Sequence, residues 1–122
     1  MELETLRPNP SWDEAGYADA VETLARRSDT LTYRVWGGDW CKDCRALLPD
    51  FGAALAAAGV PEERIHHQVV DEDKQGPGVE EYGIEYIPTI VVEDESGSEV
   101  ARFVESEAVP PAVYLAERIE RP

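Results

Sequence analysis

Both cysteines of this chain lie in the stretch Trp40-Cys41-Lys42-Asp43-Cys44-Arg45, between a hydrophobic run and a helical pattern. Two cysteines three positions apart at the start of a helix lie on neighbouring turns of one face, so their sulfurs can join or part with little backbone movement. The free N–H groups and the positive dipole end of a helix N-terminus favour a thiolate on the first cysteine. The stretch therefore predicts redox chemistry, with Cys41 as the nucleophile and Cys44 as the resolving cysteine.

A second informative segment contains a proline that opens a run otherwise typical of a buried strand, Ile87-Pro88-Thr89-Ile90-Val91-Val92. Proline lacks an N–H and is tolerated in a sheet mainly at the first residue of a strand or at an edge. Here the chain resembles the thioredoxin family, whose members pair a Trp-Cys-x-x-Cys motif with an Ile-Pro-Thr segment. In that family the proline follows a cis peptide bond and packs against the active-site sulfurs. The resemblance implies the same arrangement for Pro88, between Ile87 and Thr89.

A third match to the family is Pro49, eight residues after Cys41, where thioredoxins carry a proline that bends the active-site helix. Inside a helix this proline removes the N–H that would bond the carbonyl of Arg45, so a kink is expected there. The resemblance extends over the order of elements from about Trp12 to Ile119. It implies a thioredoxin-like α/β fold, with a central mixed β-sheet flanked by helices.

Length and composition agree with a small soluble domain. The 122 residues are enough for one hydrophobic core, so we expect residues 1–122 to form a single thioredoxin-like domain. The sequence shows no stretch of membrane-spanning length and no export leader, which makes a cytoplasmic location the default expectation. In a reducing cytosol a Cys-x-x-Cys pair is more often catalytic or metal-binding than a structural crosslink.

The charge of the chain is strongly negative, −15 at pH 7 from 26 acidic and 11 basic residues. Phosphate contacts need clustered cations, which are absent here, so nucleic-acid binding is disfavoured. We interpret the charge as adaptation to high salt, where screening relieves the mutual repulsion of carboxylates. An acidic protein from a mesophile is the alternative. We expect a monomer that binds neither nucleic acid nor membranes.

Hydrophobic periodicity predicts alternating strands and helices. The expected elements are a short strand at Leu3–Leu6, a helix from an N-cap at Ser11 to Arg27, a strand at Leu31–Trp36, the active-site helix from Cys41 to Ala58, a strand at Ile65–Val70, a short helix at Val79–Tyr82, a hairpin of Ile90–Val92 and Val100–Val104, and a last helix from Pro110 to Ile119. Such an order is typical of an α/β fold. Several α/β folds fit it, and the thioredoxin fold comes from the resemblance.

Two other roles are open for the cysteine pair. A structural zinc site needs two further ligands, and the only histidines, His66 and His67, are adjacent on a strand and therefore point to opposite faces. A structural disulfide across so short a loop would remove little entropy from the unfolded chain. We therefore favour the redox interpretation over both.

Four positions near the motif and in the two adjoining strands depart from the family pattern. Thioredoxins usually carry a buried aspartate in the strand before the motif, where it exchanges a proton with the resolving cysteine, and Val35 occupies that place. The lysine that usually neighbours this aspartate corresponds to His67, which can titrate near neutral pH, although a half-exposed histidine without a catalytic role is the simpler interpretation. Between the cysteines the usual Gly-Pro is replaced by Lys42-Asp43, which resembles the Cys-x-Asp-Cys branch of thioredoxin-like proteins. Lys42 would stabilise a nearby thiolate, and Asp43 would oppose it.

The resemblance also implies how a partner is held. The residues Ile87, Pro88 and Thr89 would hold an extended strand of the partner, and Trp40 would shape the docking surface around the sulfurs. A glycine that leaves room for that strand in the family falls here near residues 105 and 106, Glu105 and Ser106. Either side chain would narrow the groove and restrict the choice of partner.

These features predict a thiol-disulfide oxidoreductase that acts on disulfide-containing proteins. The Cys41 thiolate attacks a partner sulfur, and Cys44 then attacks Cys41 to release the reduced partner. No organic cofactor or metal is required, and the electrons come from a reductase or a small thiol that the sequence does not identify. The alternative is a thioredoxin-like redox-sensing or protein-binding module without efficient turnover, which the valine at position 35 and the narrowed groove favour.

Overall fold

The computed structural model of the protein describes residues 3–73, 75–104 and 109–120. Within them one mixed sheet is formed by the strands β1 (Thr32–Gly37), β2 (Ile65–Val69), β3 (Thr89–Glu93) and β4 (Glu99–Val104). The strands lie in the order β2-β1-β3-β4, with β1 and β2 parallel and the other two neighbouring pairs antiparallel. The structure thus confirms the predicted α/β class with a central mixed sheet.

Helices flank the sheet on both faces. They are α1 (Ala18–Arg26), α2 (Lys42–Ala57), α3 (Val79–Tyr82) and α4 (Pro111–Glu120). The helices α1, α2 and α4 contact one another, and α4 also packs on β4. On the other face, the ring of Tyr82 in α3 lies 4.8 Å from the ring of Trp36 in β1.

The strand β1 lies at the centre of the core because both of its faces are covered. Tyr33 meets Phe51 of α2 edge to face, with ring centroids 6.1 Å apart, and Val35 points to the same side by strand alternation. On the other side Arg34 forms a 2.7 Å ion pair with Glu93. Burial on both faces explains the nearly continuous hydrophobic run of this strand in the sequence.

The helix α2 begins and ends close to where the sequence predicts. Cys41 is its N-cap residue, and Pro49 lies inside it. Gly59, just beyond the end of the helix, has a φ of +75°, a left-handed conformation that glycine adopts without steric cost. The predicted helix at Val79–Tyr82 is also confirmed.

The predicted strand at Leu3–Leu6 is wrong. A 3₁₀ helix covers Glu4–Leu6 instead. The N–H of Leu3 donates to Nδ1 of His67, and the N–H groups of Glu4 and Thr5 donate to the carboxylate of Asp39. These donors are therefore taken by side chains and do not pair with a strand of the sheet.

The predicted start of the first helix is also wrong. A 3₁₀ turn at Glu14–Tyr17 precedes α1, which begins at Ala18. Ser11 caps neither element, because the N-cap residue of the 3₁₀ turn is Asp13 and that of α1 is Tyr17. The N–H of Ser11 donates to the side-chain oxygen of Asn9 in a local turn. The end of the helix at Arg26 lies one residue from the predicted end.

Two further predictions from the sequence concern membrane-spanning segments and the width of the partner groove. Among the residues that the structure describes, no helix is both long enough and apolar enough to cross a bilayer. Glu105 and Ser106, which were expected to narrow the partner groove, lie outside the described residues. The narrowing of the groove therefore stays a prediction.

Candidate active site

The two cysteines lie at the junction between β1 and α2. The strand ends at Gly37, a short loop follows, and Cys41 caps the helix with its side chain. The sulfur of Cys41 accepts the backbone N–H of Cys44 at 3.3 Å, and both cysteines are in the free thiol form. The first helical turn thus holds the pair together and directs a backbone donor at one sulfur.

The two sulfurs have different surroundings. Cys41 keeps 8% of its surface exposed, whereas Cys44 is fully buried. Burial raises the pKa of the Cys44 thiol, and its hydrogen bond with Cys41 raises that pKa further. Cys41 is therefore the more exposed of the two residues, and Cys44 is held as a thiol inside the fold.

Two glycines at the end of β1 leave room for the side chains of Cys44 and Trp40. A Cβ atom added at Gly37 would lie 3.2 Å from the sulfur of Cys44 and 3.3 Å from Cδ1 of Leu48. A Cβ atom added at Gly38 would overlap the indole ring of Trp40, at 2.7 Å from Cε2. The Gly-Gly pair therefore permits close packing as well as the tight turn that the sequence suggests.

The Ile-Pro-Thr segment lies against the cysteine pair. The peptide bond between Ile87 and Pro88 is cis, and the carbonyl oxygen of Ile87 lies 4.0 Å from the sulfur of Cys41. The side chains of Ile87, Pro88 and Thr89 are all buried. The hydroxyl of Thr89 donates to the carbonyl of Tyr86, which fixes the turn before the strand. The backbone carbonyl of Ile87 thus lies beside the Cys41 sulfur.

Exposed aromatic side chains flank the site. Trp40 is 40% exposed, and its indole N–H donates to the carbonyl of Val70 at 3.0 Å, which fixes the ring in place. Tyr86 is 54% exposed and precedes the Ile-Pro-Thr segment by one position. Tyr86 was not among the site residues predicted from the sequence, although an aromatic residue beside the matched segment was a usable signal. The side chains of Lys42 and Asp43 are exposed between the cysteines.

Two of the positions that depart from the family pattern, Val35 and His67, lie side by side in the sheet. Val35 on β1 and His67 on β2 are register partners, and Val35 is fully buried on the side of the sheet that faces α2. The Nδ1 atom of His67 accepts the N–H of Leu3 at 2.8 Å. Val35 has no ionisable group, and the Nδ1 atom of His67 is already engaged by the N–H of Leu3.

The structure also shows where groups that bind metals lie. Within the described residues, no group of three or more His, Cys, Asp or Glu side chains is close enough to hold a metal ion. His67 faces the Leu3 side of the sheet. His66 lies on the opposite face. Partial burial there, together with the charge of Arg34, lowers the pKa of its imidazole.

Comparisons with known proteins agree with this geometry. Residues 20–111 match the family model described as Thioredoxin. No curated protein sequence matches the chain.

Several solved structures from different organisms have the same fold. A protein of unknown function from Pseudomonas aeruginosa is 25% identical, with a TM-score of 0.53 over 84% of this chain and 69% of that one. Thioredoxin O2 from Arabidopsis thaliana is 19% identical, with a TM-score of 0.50 over 99% and 97% of the two chains. A mutant thioredoxin from Halobacterium salinarum is 18% identical, with a TM-score of 0.50 over 98% and 93%. With most of its length matched by the family model, the chain belongs to the thioredoxin family.

Proposed function

We propose that this protein is a thiol-disulfide oxidoreductase that reduces or exchanges disulfides in partner proteins, as a single domain. The observation that carries the proposal is the unequal pair at the start of α2. Cys41 keeps 8% of its surface exposed and its sulfur accepts a backbone N–H, while Cys44 lies one turn further in and is fully buried. Two-step disulfide exchange requires one thiol that a partner can reach and a second thiol close behind it.

The first step is attack by the Cys41 thiolate on one sulfur of the partner's disulfide. A new S–S bond forms to Cys41 while the S–S bond of the partner breaks, and the other partner sulfur leaves as a thiolate that takes up a proton. The helix N-terminus at Cys41 favours negative charge, which suits an attacking thiolate. This step needs no cofactor or metal.

The second step is attack by Cys44 on the sulfur of Cys41. Cys44 must first lose its proton; its thiolate then forms the Cys41–Cys44 disulfide, and the second partner sulfur leaves as a thiolate. Two electrons have then passed to the partner. A dithiol or a reductase must return two electrons before the next cycle.

Partner docking is proposed to use backbone and aromatic groups together. The carbonyl of Ile87, 4.0 Å from the Cys41 sulfur, supports hydrogen bonding by an extended partner segment beside the sulfur. The exposed rings of Trp40 and Tyr86 would contact the side chains of that segment on both sides. Lys42 and Asp43, both exposed between the cysteines, would modulate the local charge.

The compartment and the salt conditions in which the protein works are proposed from its chemistry and its charge. A reducing dithiol needs a reducing compartment, which favours the cytoplasm. The net charge of −15 favours a protein that works at high salt, as a monomer with no nucleic-acid or membrane partner.

The test is catalytic reduction of a generic disulfide protein by dithiothreitol in molar potassium chloride. We expect the wild-type protein to accelerate reduction well above the dithiothreitol background, and Cys41→Ser to remove the acceleration. The Asp94→Ala variant, in the turn of the β3–β4 hairpin, serves as the control and should keep the activity. Reduction by wild type at the background rate would reject the proposed function.

A redox-sensing or binding module is the second candidate. It is favoured by Val35, which offers no proton acceptor to Cys44, and by the raised pKa of that buried thiol. A sensor would form the Cys41–Cys44 disulfide with an oxidant and change its binding, yet would show little catalytic turnover. The same assay separates the two, because only the oxidoreductase completes many cycles per molecule.

A further inference from the structure

The segment Leu3–Leu6, called the strap below, lies beside Cys44 at the end of β1. Leu3 and Leu6 are 1% and 7% exposed. A Cβ atom added at Gly37 would lie 3.6 Å from Cδ1 of Leu3 and 3.2 Å from the sulfur of Cys44. Leu3 and the Cys44 sulfur therefore converge on the same point at the end of β1, and the strap forms part of the wall around Cys44.

A glycine in the middle of α2 receives the strap. A Cβ atom added at Gly52 would lie 2.8 Å from the carbonyl carbon of Leu6 and closer still to its oxygen. Glycine inside a helix is otherwise unfavourable, because alanine is the better helix former. The close approach of the Leu6 carbonyl gives a physical reason for glycine at this position.

Asp39 joins the strap to the loop that carries Cys41. Its carboxylate accepts the N–H of Thr5 at 3.0 Å and the N–H of Glu4 at 3.2 Å. Its own carbonyl accepts a guanidinium N–H of Arg45 in α2 at 3.1 Å. A residue two positions before Cys41 thus connects the strap, the active-site loop and the active-site helix.

We infer that Asp39 is a positioning residue: it holds the strap against α2 and thereby seals Cys44 from solvent. The inference rests on the proposed function, in which Cys41 attacks the partner and Cys44 reacts only with the Cys41 sulfur. Backbone N–H groups bonded to a carboxylate are charge-assisted hydrogen bonds, which are stronger than neutral ones. Sealing Cys44 keeps small thiols and oxidants away from it, so the two sulfurs keep separate tasks.

The test measures alkylation of Cys44 by iodoacetamide in a Cys41→Ser background, in molar potassium chloride. Asp39→Ala should raise the labelling rate about tenfold, since both hydrogen bonds to the strap are lost. Asp39→Asn keeps one acceptor oxygen and should raise the rate about threefold. Asp94→Ala is the matched control, because the Asp94 carboxylate also accepts two backbone N–H groups, those of Ser96 and Ser98, far from the cysteines. It should change the rate less than about twofold.

A second variant and two readouts distinguish release of the strap from general destabilisation. Gly52→Ala should raise Cys44 labelling about tenfold as well, although alanine favours the helix itself. Local release gives a rate that changes little with low urea, whereas global unfolding gives a steep dependence. Burial raises the pKa of Cys44, so admitting water should shift the labelling profile of Asp39→Ala to lower pH.

Labelling of Asp39→Ala and Gly52→Ala no faster than that of Asp94→Ala would overturn the inference. A rate that rises steeply with urea in those variants would overturn it too. Neither readout involves a partner or turnover, so failure of the disulfide-reduction assay leaves this result interpretable. A released strap in a protein without reductase activity would reject the proposed function and keep the sealing role of Asp39.

Discussion

The backbone N–H of Cys44 is directed at the sulfur of Cys41 across 3.3 Å, within the first turn of α2. This contact fixes the distance between the two sulfur-bearing residues and distinguishes their roles. Cys41 receives the donor and keeps some exposure, while Cys44 is enclosed by the sheet and the helix. The chemistry proposed above depends on this difference.

The two thiols should react with an alkylating agent at different rates. In the reduced protein at neutral pH, iodoacetamide should modify Cys41 before Cys44, because Cys44 is fully buried and its pKa is raised. Peptide mapping by mass spectrometry after timed quenching measures both rates. Equal rates, or faster labelling of Cys44, would reject the assignment of Cys41 as nucleophile.

The resolving step should accelerate with pH. Because burial raises the pKa of Cys44, its thiolate is a minor species near neutrality, and the thiolate fraction rises about tenfold per pH unit below that pKa. The release of a partner from a preformed mixed disulfide on Cys41, followed by stopped flow from pH 6 to pH 9, should therefore show a slope close to one in log rate. A plateau already reached at neutral pH would indicate that an unrecognised base activates Cys44.

The ion pair between Arg34 and Glu93 should contribute to stability. Glu93 is 8% exposed and accepts hydrogen bonds from Arg34 at 2.7 Å and from the hydroxyl of Tyr82 at 2.9 Å. Glu93→Ala leaves both donors without this acceptor, so the free energy of unfolding should fall by about 2 kcal/mol. Urea titration measures the change.

A more exposed pair supplies the control for that prediction. Glu99 pairs with Arg102 at 2.9 Å, but its side chain is 42% exposed. Glu99→Ala should cost less than about 1 kcal/mol, since solvent screens a surface pair. Equal losses for Glu93→Ala and Glu99→Ala would contradict the importance of burial for the first pair.

Folding should depend strongly on salt. At about 10 mM salt the Debye length is about 30 Å, so carboxylates across the domain repel one another, and at about 1 M it is about 3 Å. With a net charge of −15, the melting temperature should climb from low salt to molar potassium chloride. A flat or falling melting temperature over that range would contradict the high-salt interpretation and leave the cysteine chemistry unaffected.

Local signals made the centre of the fold predictable from sequence. The run from Leu31 to Trp36 gave β1 to within one residue, and Gly59 marked the end of α2. The strap was mispredicted because its partners are distant in sequence. The N–H of Leu3 bonds a histidine 64 positions away, and the N–H of Thr5 bonds an aspartate 34 positions away. No local pattern contains that information.

The part of the site that lies in contiguous motifs was also predictable from the sequence. The cysteine pair and Pro88 stand in motifs that are contiguous in sequence, and the structure brings them together. Gly52 and Asp39 carry no such signal, because their roles arise only when the strap packs on α2. Tyr86 was missed because the exposure of its ring depends on how the chain turns into the buried Ile-Pro-Thr segment.

The central claim is that Cys41 forms a mixed disulfide with a partner and that Cys44 resolves it. Trapping of the mixed disulfide tests this most directly. Cys44→Ser and Cys41→Ser are each incubated with a disulfide-containing protein in molar potassium chloride. Covalent adducts are then detected by non-reducing electrophoresis and mass spectrometry. We expect Cys44→Ser to accumulate a covalent adduct through Cys41 that dithiothreitol releases, and Cys41→Ser to accumulate none. An adduct that forms equally well through Cys44, or no adduct with either variant, would contradict the account.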